Sequence, residues 1–178
     1  MSAISRPTTR SRSEISLSFF SFLFSELVAS SIEGEHLEDR LQRIGSDIGV
    51  RTFALFHLRD RPYRRETRPS MCLQFIGSLV WKSLFGKIAQ VIATDQPGEY
   101  YLIDRSMILN KYISISENEA LENSMVNCAY FAAGIIQGMM HVAGFTTVKV
   151  EAVFTLAGNI QVIDEPANVT FIVTNVVS

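Results

Sequence analysis

Cysteine, histidine and charged residues are all scarce in this 178-residue sequence, and each shortage excludes a class of protein. The two cysteines, Cys72 and Cys128, lie far apart, each within an apolar helical pattern. We therefore expect buried, reduced thiols without a disulfide framework, in keeping with a cytosolic protein. The three histidines are widely separated, so no pair has the spacing of a metal site. Charged residues make up 19% of the chain and the net charge is −2, which gives no general attraction to nucleic acid.

The sequence also lacks the motifs that bind nucleotides or form catalytic centres. Lys87 follows Gly86, but the upstream glycine and the following Ser or Thr of a phosphate loop are missing. There is no dinucleotide-binding fingerprint, no Gly-x-Ser-x-Gly elbow and no Ser-x-x-Lys pair. We expect no catalytic residue, no cofactor and no metal, and an enzyme is the third hypothesis, motivated only by Cys128 or His141 in apolar surroundings. No signal peptide is predicted, because the first dozen residues have no apolar core.

The most apolar part of the chain is residues 127–142, NCAYFAAGIIQGMMHV, which carry no formal charge. Apolar residues cover nearly every side of the predicted helix, which is typical of a buried central helix. A membrane span is the less favoured interpretation, because the segment is barely the required length of about 20 residues and is diluted by glycine and polar residues. Gly134 and Gly138 lie one turn apart and predict the close approach of another backbone. Gly45 and Gly49 have the same spacing in the second predicted helix.

Two helices are predicted ahead of this segment, and together they should form an αα-hairpin. Ser11 and Glu14 have capping-box spacing, which predicts a first helix over residues 13–30. Its apolar arc is about twice the roughly 100° of an ordinary surface helix. The helix is therefore either enclosed by its own fold or covered on one side by a partner chain, and the pattern leaves both open. The second helix spans residues 36–58, with an inner face of Leu37, Leu41, Ile44, Ile48 and Leu55.

The rest of the chain combines one more helix with several strands. The third helix spans residues 70–85, and residues 87–96 are expected to be irregular or helical. Predicted strands are residues 99–104, 111–115, 146–156 and 168–177, with a short apolar piece at 160–163. Because helices and strands do not alternate regularly, the fold class is α+β with an antiparallel sheet. Residues 1–12 form a disordered tail, and residues 13–178 form a single domain.

Basic residues are concentrated in one short stretch, residues 59–68, RDRPYRRETR. A solvated loop with weak surface ion pairs is the default interpretation. The more specific interpretation is contact with an acidic partner or an anionic membrane surface, where each basic residue contributes about 1 kcal/mol. The candidate contact residues are Arg59, Arg61, Arg64, Arg65 and Arg68.

Several segments, taken together in order and spacing, resemble a known family. They are RSEISLSFFSFLFSELV and RLQRIGSDIGVR in the first two helices, RRET with SLVWKSLFGK, YYLIDRSMILNKYIS, and NCAYFAAGIIQGMMHVAGF. These blocks resemble subunit 5 of the transport protein particle (TRAPP) complex over residues 12–150. The chain from Ala152 onward departs from the family pattern.

The resemblance implies a compact α+β fold of four or more packed helices with a small antiparallel sheet. It implies a non-catalytic subunit of a vesicle-tethering assembly that exchanges guanine nucleotide on a Rab GTPase in transport between the endoplasmic reticulum and Golgi. The implied neighbours are the third subunit and the sedlin-like second subunit, at the cytoplasmic side of cis-Golgi and endoplasmic reticulum membranes. A pocket for a small hydrophobic ligand or acyl chain, motivated by the glycines of the central helix, is the alternative function.

Under this resemblance, six apolar residues are expected to face a partner or to support the interface: Phe19, Phe22, Leu23, Leu27, Leu41 and Ile44. The third subunit of the family carries an acylated cysteine just before its Arg-Glu-Thr block. Residues 61–63 of this chain hold no cysteine, so no acylation is expected there.

Overall fold

A computed structural model describes residues 15–31, 36–60, 67–110, 127–155 and 168–174 of the protein. Helices α1 and α2 are Leu17–Ala29 and Leu37–Asp60. A third helical rod consists of α3 (Pro69–Phe75), a π-helical turn (Ile76–Val80) and α4 (Trp81–Phe85). The central helix α5 is Tyr130–Ala143, and a 3₁₀ turn covers Ile108–Asn110. The strands are β1 (Gln90–Ala93), β2 (Tyr100–Asp104), β3 (Lys149–Thr155) and β4 (Asn168–Thr174).

The four strands form one sheet in the order β1-β2-β4-β3, in which every neighbouring pair is antiparallel. One face of the sheet is buried against the helices through Leu102, Phe171 and other apolar side chains at alternate positions. The α+β fold class expected from the sequence is therefore confirmed. Strand β1 lies within residues 87–96, so the expectation of an irregular or helical piece there is wrong. The predicted strand at 111–115 and the apolar piece at 160–163 lie outside the described residues.

Helix α1 begins later than the sequence predicted. Ser16 is its N-cap, and its side-chain oxygen accepts a hydrogen bond of 3.2 Å from the backbone N–H of Phe19. This bond satisfies one of the free N–H groups of the first turn. The predicted cap, Ser11 with Glu14, lies outside the described residues.

The closest helix pair in the fold is α2 with α5, and both predicted glycine pairs lie at their contact. A Cβ added at Gly134 or Gly138 would come within 2.0–2.2 Å of the backbone oxygens of Gln42 and Ser46. A Cβ at Gly45 would come within 2.0 Å of the carbonyl oxygen of Phe131. Since residue numbers rise together along both helices, α2 and α5 run parallel. The close approach expected from the glycine spacing is confirmed, whereas the expected α1–α2 hairpin is not the main helix pair.

The same contact bears on the hydrophobic-ligand alternative. That alternative was motivated by the space that glycines leave on the central helix. In the structure, the backbone of α2 fills the space beside Gly134 and Gly138. The glycines therefore serve helix packing and leave no room for an acyl chain at this place.

The third helical rod packs against the core and is bonded to the sheet at the end of β2. Trp81 is fully buried, and its indole N–H donates a hydrogen bond of 2.8 Å to the buried carboxylate of Asp104 at the end of β2. The ammonium group of Lys87 and the backbone N–H of Ser106 also contact this carboxylate. A buried charge with three partners is compensated, so this cluster ties the helical rod to the sheet.

Candidate partner-binding surface

Helix α1 is buried along one side only. Phe24 and Val28 belong to the core, and Phe20 and Leu27 pack against it. The ring of Phe24 meets the edge of Phe131 on α5, with ring centroids 5.3 Å apart. Phe20 stacks on Phe24 at 5.8 Å. The inward side of α1 is therefore anchored on the central helix by aromatic contacts.

The opposite side of α1 carries large apolar side chains in solvent. We call this surface the outer α1 face, and it consists of Ile15, Phe19, Phe22 and Leu23, which are 63%, 54%, 76% and 55% exposed. At about 100° per residue the three helical positions Phe19, Phe22 and Leu23 fall within one arc of roughly 100°, and Ile15 directly precedes the N-cap Ser16. Clustered exposure of this kind, unlike a single exposed leucine, is typical of protein–protein contact.

Two serines on α1 have hydroxyl groups that bond to the backbone of their own helix. The hydroxyl of Ser21 donates to the carbonyl of Leu17 at 2.9 Å, and that of Ser25 donates to the carbonyl of Phe22 at 3.0 Å. Hydroxyls already bonded to their own helix backbone need no partner when water is removed. A protein that covers this side of α1 therefore leaves few polar groups unsatisfied.

The six residues expected to face or support a partner have three different environments. The exposed ones are Phe19, Phe22 and Leu23. Leu27 and Ile44 are half-buried against the core. Leu41 is fully buried, so it makes no direct contact with a partner and is left with the supporting role. Their part in binding stays a prediction.

The predicted inner face of α2 is partly wrong. Ile48 and Leu55 are exposed, whereas Gly45, Gly49 and Phe53 are buried. The buried side of α2 is centred on the glycines that touch α5, about a quarter turn from the aliphatic stripe. The two exposed aliphatic residues add apolar surface that the sequence reasoning had assigned to the core.

The structure describes little of the basic stretch. Arg68 is exposed at the N-cap position of α3. Arg61, Arg64 and Arg65 lie outside the described residues, and the side chain of Arg59 is also outside them. The expected contact with an acidic partner or membrane surface therefore stays a prediction.

The cysteines and His141, which bear on the enzyme hypothesis, lie in surroundings typical of structural residues. Cys72 and Cys128 are both buried and neither forms a disulfide, as expected from the sequence. Burial, helped by the negative charge of Glu38, raises the pKa of Cys128 to about 11. At neutral pH the thiol is therefore protonated and a poor nucleophile. The ring Nε2 of His141 lies 3.0 Å from the backbone oxygen of Val148, which it reaches across the end of α5.

The described part of the chain offers neither a metal site nor a membrane-spanning helix. Those residues contain no cluster of three or more His, Cys, Asp or Glu that could hold a metal ion. None of the helices described is long and apolar enough to cross a membrane.

Comparison with known proteins finds consistent similarity over most of the chain. A family model for the transport protein particle (TRAPP) component matches residues 20–173. The chain is 38% identical over 148 residues to trafficking protein particle complex subunit 5 of Dictyostelium discoideum and, equally, of Homo sapiens, which covers 80% of this chain and 77% of each relative. Its fold is similar to that of a trafficking protein particle complex subunit 3 from Naegleria fowleri covalently bound to palmitic acid, with a TM-score of 0.66 over 91% of this chain and 97% of the other. Sequence identity to that structure is 14%, so it bears on the fold alone.

Proposed function

Because this chain belongs to the TRAPP component family, we propose that it is a non-catalytic subunit of a TRAPP vesicle-tethering complex. In this role it supports guanine-nucleotide exchange on a Rab GTPase during transport between the endoplasmic reticulum and Golgi. Its immediate partners are the third subunit and the sedlin-like second subunit, and it meets the GTPase through the assembled complex. It acts in the cytoplasm, at the surface of cis-Golgi and endoplasmic reticulum membranes.

The observation that carries this proposal is the outer α1 face. Four large apolar side chains that are each more than half exposed would be costly for a chain that functions alone. Burial of a phenylalanine or leucine contributes about 1.5–3 kcal/mol relative to exposure. A partner helix packed here would therefore gain a central apolar cluster of the kind that dominates protein–protein affinity.

The surroundings of Cys128 and His141, the two residues that motivated an enzyme hypothesis, are consistent with a non-catalytic role. Cys128 is protonated at neutral pH, and His141 is engaged by a backbone carbonyl. In this proposal nucleotide exchange is a property of a surface built by several subunits. The chain contributes by holding its neighbours in position.

The first experiment measures assembly with the third subunit from the same organism. The wild-type chain is co-expressed with it, and affinity is measured alongside a Phe22→Ser/Leu23→Ser double variant. The double variant should bind at least tenfold more weakly, which corresponds to about 1.4 kcal/mol. The control is Val142→Ser, which removes an exposed apolar side chain on α5 and should leave binding unchanged. Equal affinity of the double variant and the wild type would refute the assignment of this surface.

The second experiment measures the contribution to nucleotide exchange. Release of labelled GDP from Rab GTPases is followed with the complete complex, with the complex lacking this chain, and with the chain alone. We expect exchange only with the complete complex. Exchange by the isolated chain would contradict the non-catalytic role, and full activity without the chain would contradict its supporting role.

A further inference from the structure

Among the described residues the sheet has two edge strands, β1 and β3, and their hydrogen-bond pattern shows which backbone groups point away from the sheet. The N–H of Thr94 donates to the carbonyl of Glu99 at 3.3 Å, which makes these two residues a hydrogen-bonded pair. In an antiparallel ladder, hydrogen-bonded pairs alternate with non-hydrogen-bonded pairs. Gln90 and Ile92 therefore bond to β2, and the backbone groups of Val91 and Ala93 point outward.

The same alternation, carried across β2 and β4, directs the backbone groups of Val150 and Ala152 away from the sheet at β3. Side chains from α2 and from the segment before α5 donate to these outward carbonyls. Gln42 on α2 donates to the oxygen of Val150 at 2.8 Å, and Asn127 donates to the oxygen of Ala152 at 2.8 Å. With His141 beside the oxygen of Val148, three successive outward carbonyls have side-chain partners. These side chains occupy the space that a fifth strand would need, so the β3 edge is closed.

From Val91 to Ala93 the β1 edge is open within the part of the chain that the structure describes, whereas the preceding N–H of Ala89 donates to the carbonyl of Gly77 at 2.8 Å. No hydrogen bond to the outward backbone groups of Val91 or Ala93 occurs there. The sequence around them, residues 88–94, is IAQVIAT and contains neither a charge nor a proline. Natural edge strands are usually guarded by such residues against pairing with other chains. Ile88 and Ile92 are also exposed beside this edge.

These observations identify the chemistry of the missing partner. An edge that offers two N–H and two C=O groups is satisfied by an extended backbone, as in β-strand addition. Ile92 would then face a residue of the added strand in a non-hydrogen-bonded pair, where side chains are closest. We propose that β1 is a docking edge for an extended segment of a neighbouring subunit, with an apolar residue opposite Ile92.

The short length of β1 favours a tethered segment over a second copy of this chain. Four backbone hydrogen bonds and one apolar side-chain pair are far less than a stable dimer interface provides. A segment whose own subunit is already bound elsewhere docks at a high effective concentration, so a short edge suffices. The outer α1 face is such a second attachment point, and the inference rests in this respect on the proposed function.

Amide hydrogen exchange at residue resolution tests the proposal. In the isolated chain the amides of Val91 and Ala93 should exchange rapidly, while those of Gln90 and Ile92 are protected by β2. In the assembled complex the amides of Val91 and Ala93 should become protected by at least tenfold. Assembly itself is checked by co-elution. A complex that forms while both amides still exchange rapidly would overturn this inference and leave the proposed function standing, whereas failure to assemble would overturn both.

A variant pair sharpens the test. Ala93→Pro removes an outward N–H without breaking a bond to β2, which an edge strand tolerates. It should weaken assembly about fivefold, the effect of one lost hydrogen bond. Ala93→Ser retains the N–H and should bind like the wild type. Equal binding of the two variants would count against the proposal, and protection of both amides that appears in the isolated chain as its concentration is raised would assign the edge to self-pairing instead.

Discussion

The α2–α5 pair and helix α1 are both rich in apolar residues, yet they differ in how completely the chain covers them. Along α2 and α5 the helices touch backbone to backbone, and the residues at the contact are glycines. Along α1 only one side touches the rest of the chain, and the other presents Phe19 and Phe22 to solvent. The first region is covered by the chain itself, whereas the second leaves one side of a helix exposed to solvent. Apolar content alone does not distinguish them; the distinction lies in which side of each helix has a neighbour.

The largest expected effect is at the contact between α2 and α5. Gly134→Ala adds a Cβ that would lie 2.0 Å from the backbone oxygen of Gln42, and neither backbone is able to yield without moving a helix. We expect a loss of about 4 kcal/mol or more in the free energy of unfolding, measured by chemical denaturation. Gly86→Asn is the control, because nothing lies within 4 Å of its Cβ and asparagine tolerates the positive φ of 77°. Similar stability of Gly134→Ala and the wild type would mean that the helices are not in close contact.

The next effect compares two phenylalanines on opposite sides of the same helix. Phe24 is 4% exposed and Phe22 is 76% exposed. Phe24→Ala should lower the free energy of unfolding by about 3 kcal/mol, because it leaves a cavity beside Phe131. Phe22→Ala should change it by less than about 0.5 kcal/mol in the isolated chain. Thermal and denaturant unfolding of the two variants in parallel checks the contrast, which would fail if both variants lost equal stability.

A smaller effect is expected where the α2–α5 pair contacts the edge strand β3. The side-chain amide of Gln42 donates to Gln137 at 2.9 Å and to the carbonyl of Val150. Gln42→Met keeps the length of the side chain but removes both donors, and it should cost about 2 kcal/mol of unfolding free energy. Gln74→Met, at an exposed position of α3, is the matched control and should be close to neutral. Equal losses in both variants would show that the bonds to α5 and β3 contribute nothing specific.

The smallest effect concerns the buried thiol of Cys128. Burial, and to a smaller extent the negative charge of Glu38, raises its pKa to about 11. The folded chain should therefore react with iodoacetamide at Cys128 far more slowly than the denatured chain at pH 8. The pKa of Cys128 is higher in the folded chain than in the unfolded chain. Burial of the neutral thiol therefore contributes fully to folding stability below about pH 9, and this contribution is lost as the pH rises towards 11. Rapid alkylation of Cys128 in the folded chain, followed by mass spectrometry of its peptides, would contradict the burial of this residue.

The sequence predicted which helices and strands form better than it predicted which of them pack together. The glycine spacing of α5 and α2 correctly indicated close helix contacts, because the lack of a side chain is visible in the sequence. It did not indicate that α2 and α5 contact each other, since the same pattern fits several pairings. The centre of the buried face of α2 was misplaced for a related reason. Gly45 and Gly49 carry no hydropathy signal, so the exposed Ile48 and Leu55 dominated the helical pattern.

The sequence signals for strand β1 and for the start of α1 were too weak to predict either correctly. Strand β1 has four residues and directly follows a long helical rod, so no alternating pattern develops. At α1, Ser11 and Glu14 have the better capping spacing, yet Ser16 forms the cap. The exposed side of α1 was predicted as one of two alternatives. Only the position of Phe24 against Phe131 determines which side of the helix remains uncovered.

The interlocking of α2 with α5 also constrains how force can pass through the molecule. Carbonyl groups of Gln42 and Ser46 sit in the notches at Gly134 and Gly138, and a slip by one turn would place Tyr130 or Val142 against them. Neither side chain fits at that distance, so sliding of one helix along the other is blocked in both directions. We therefore expect α2 and α5 to move together as one unit when either helix is displaced along its axis.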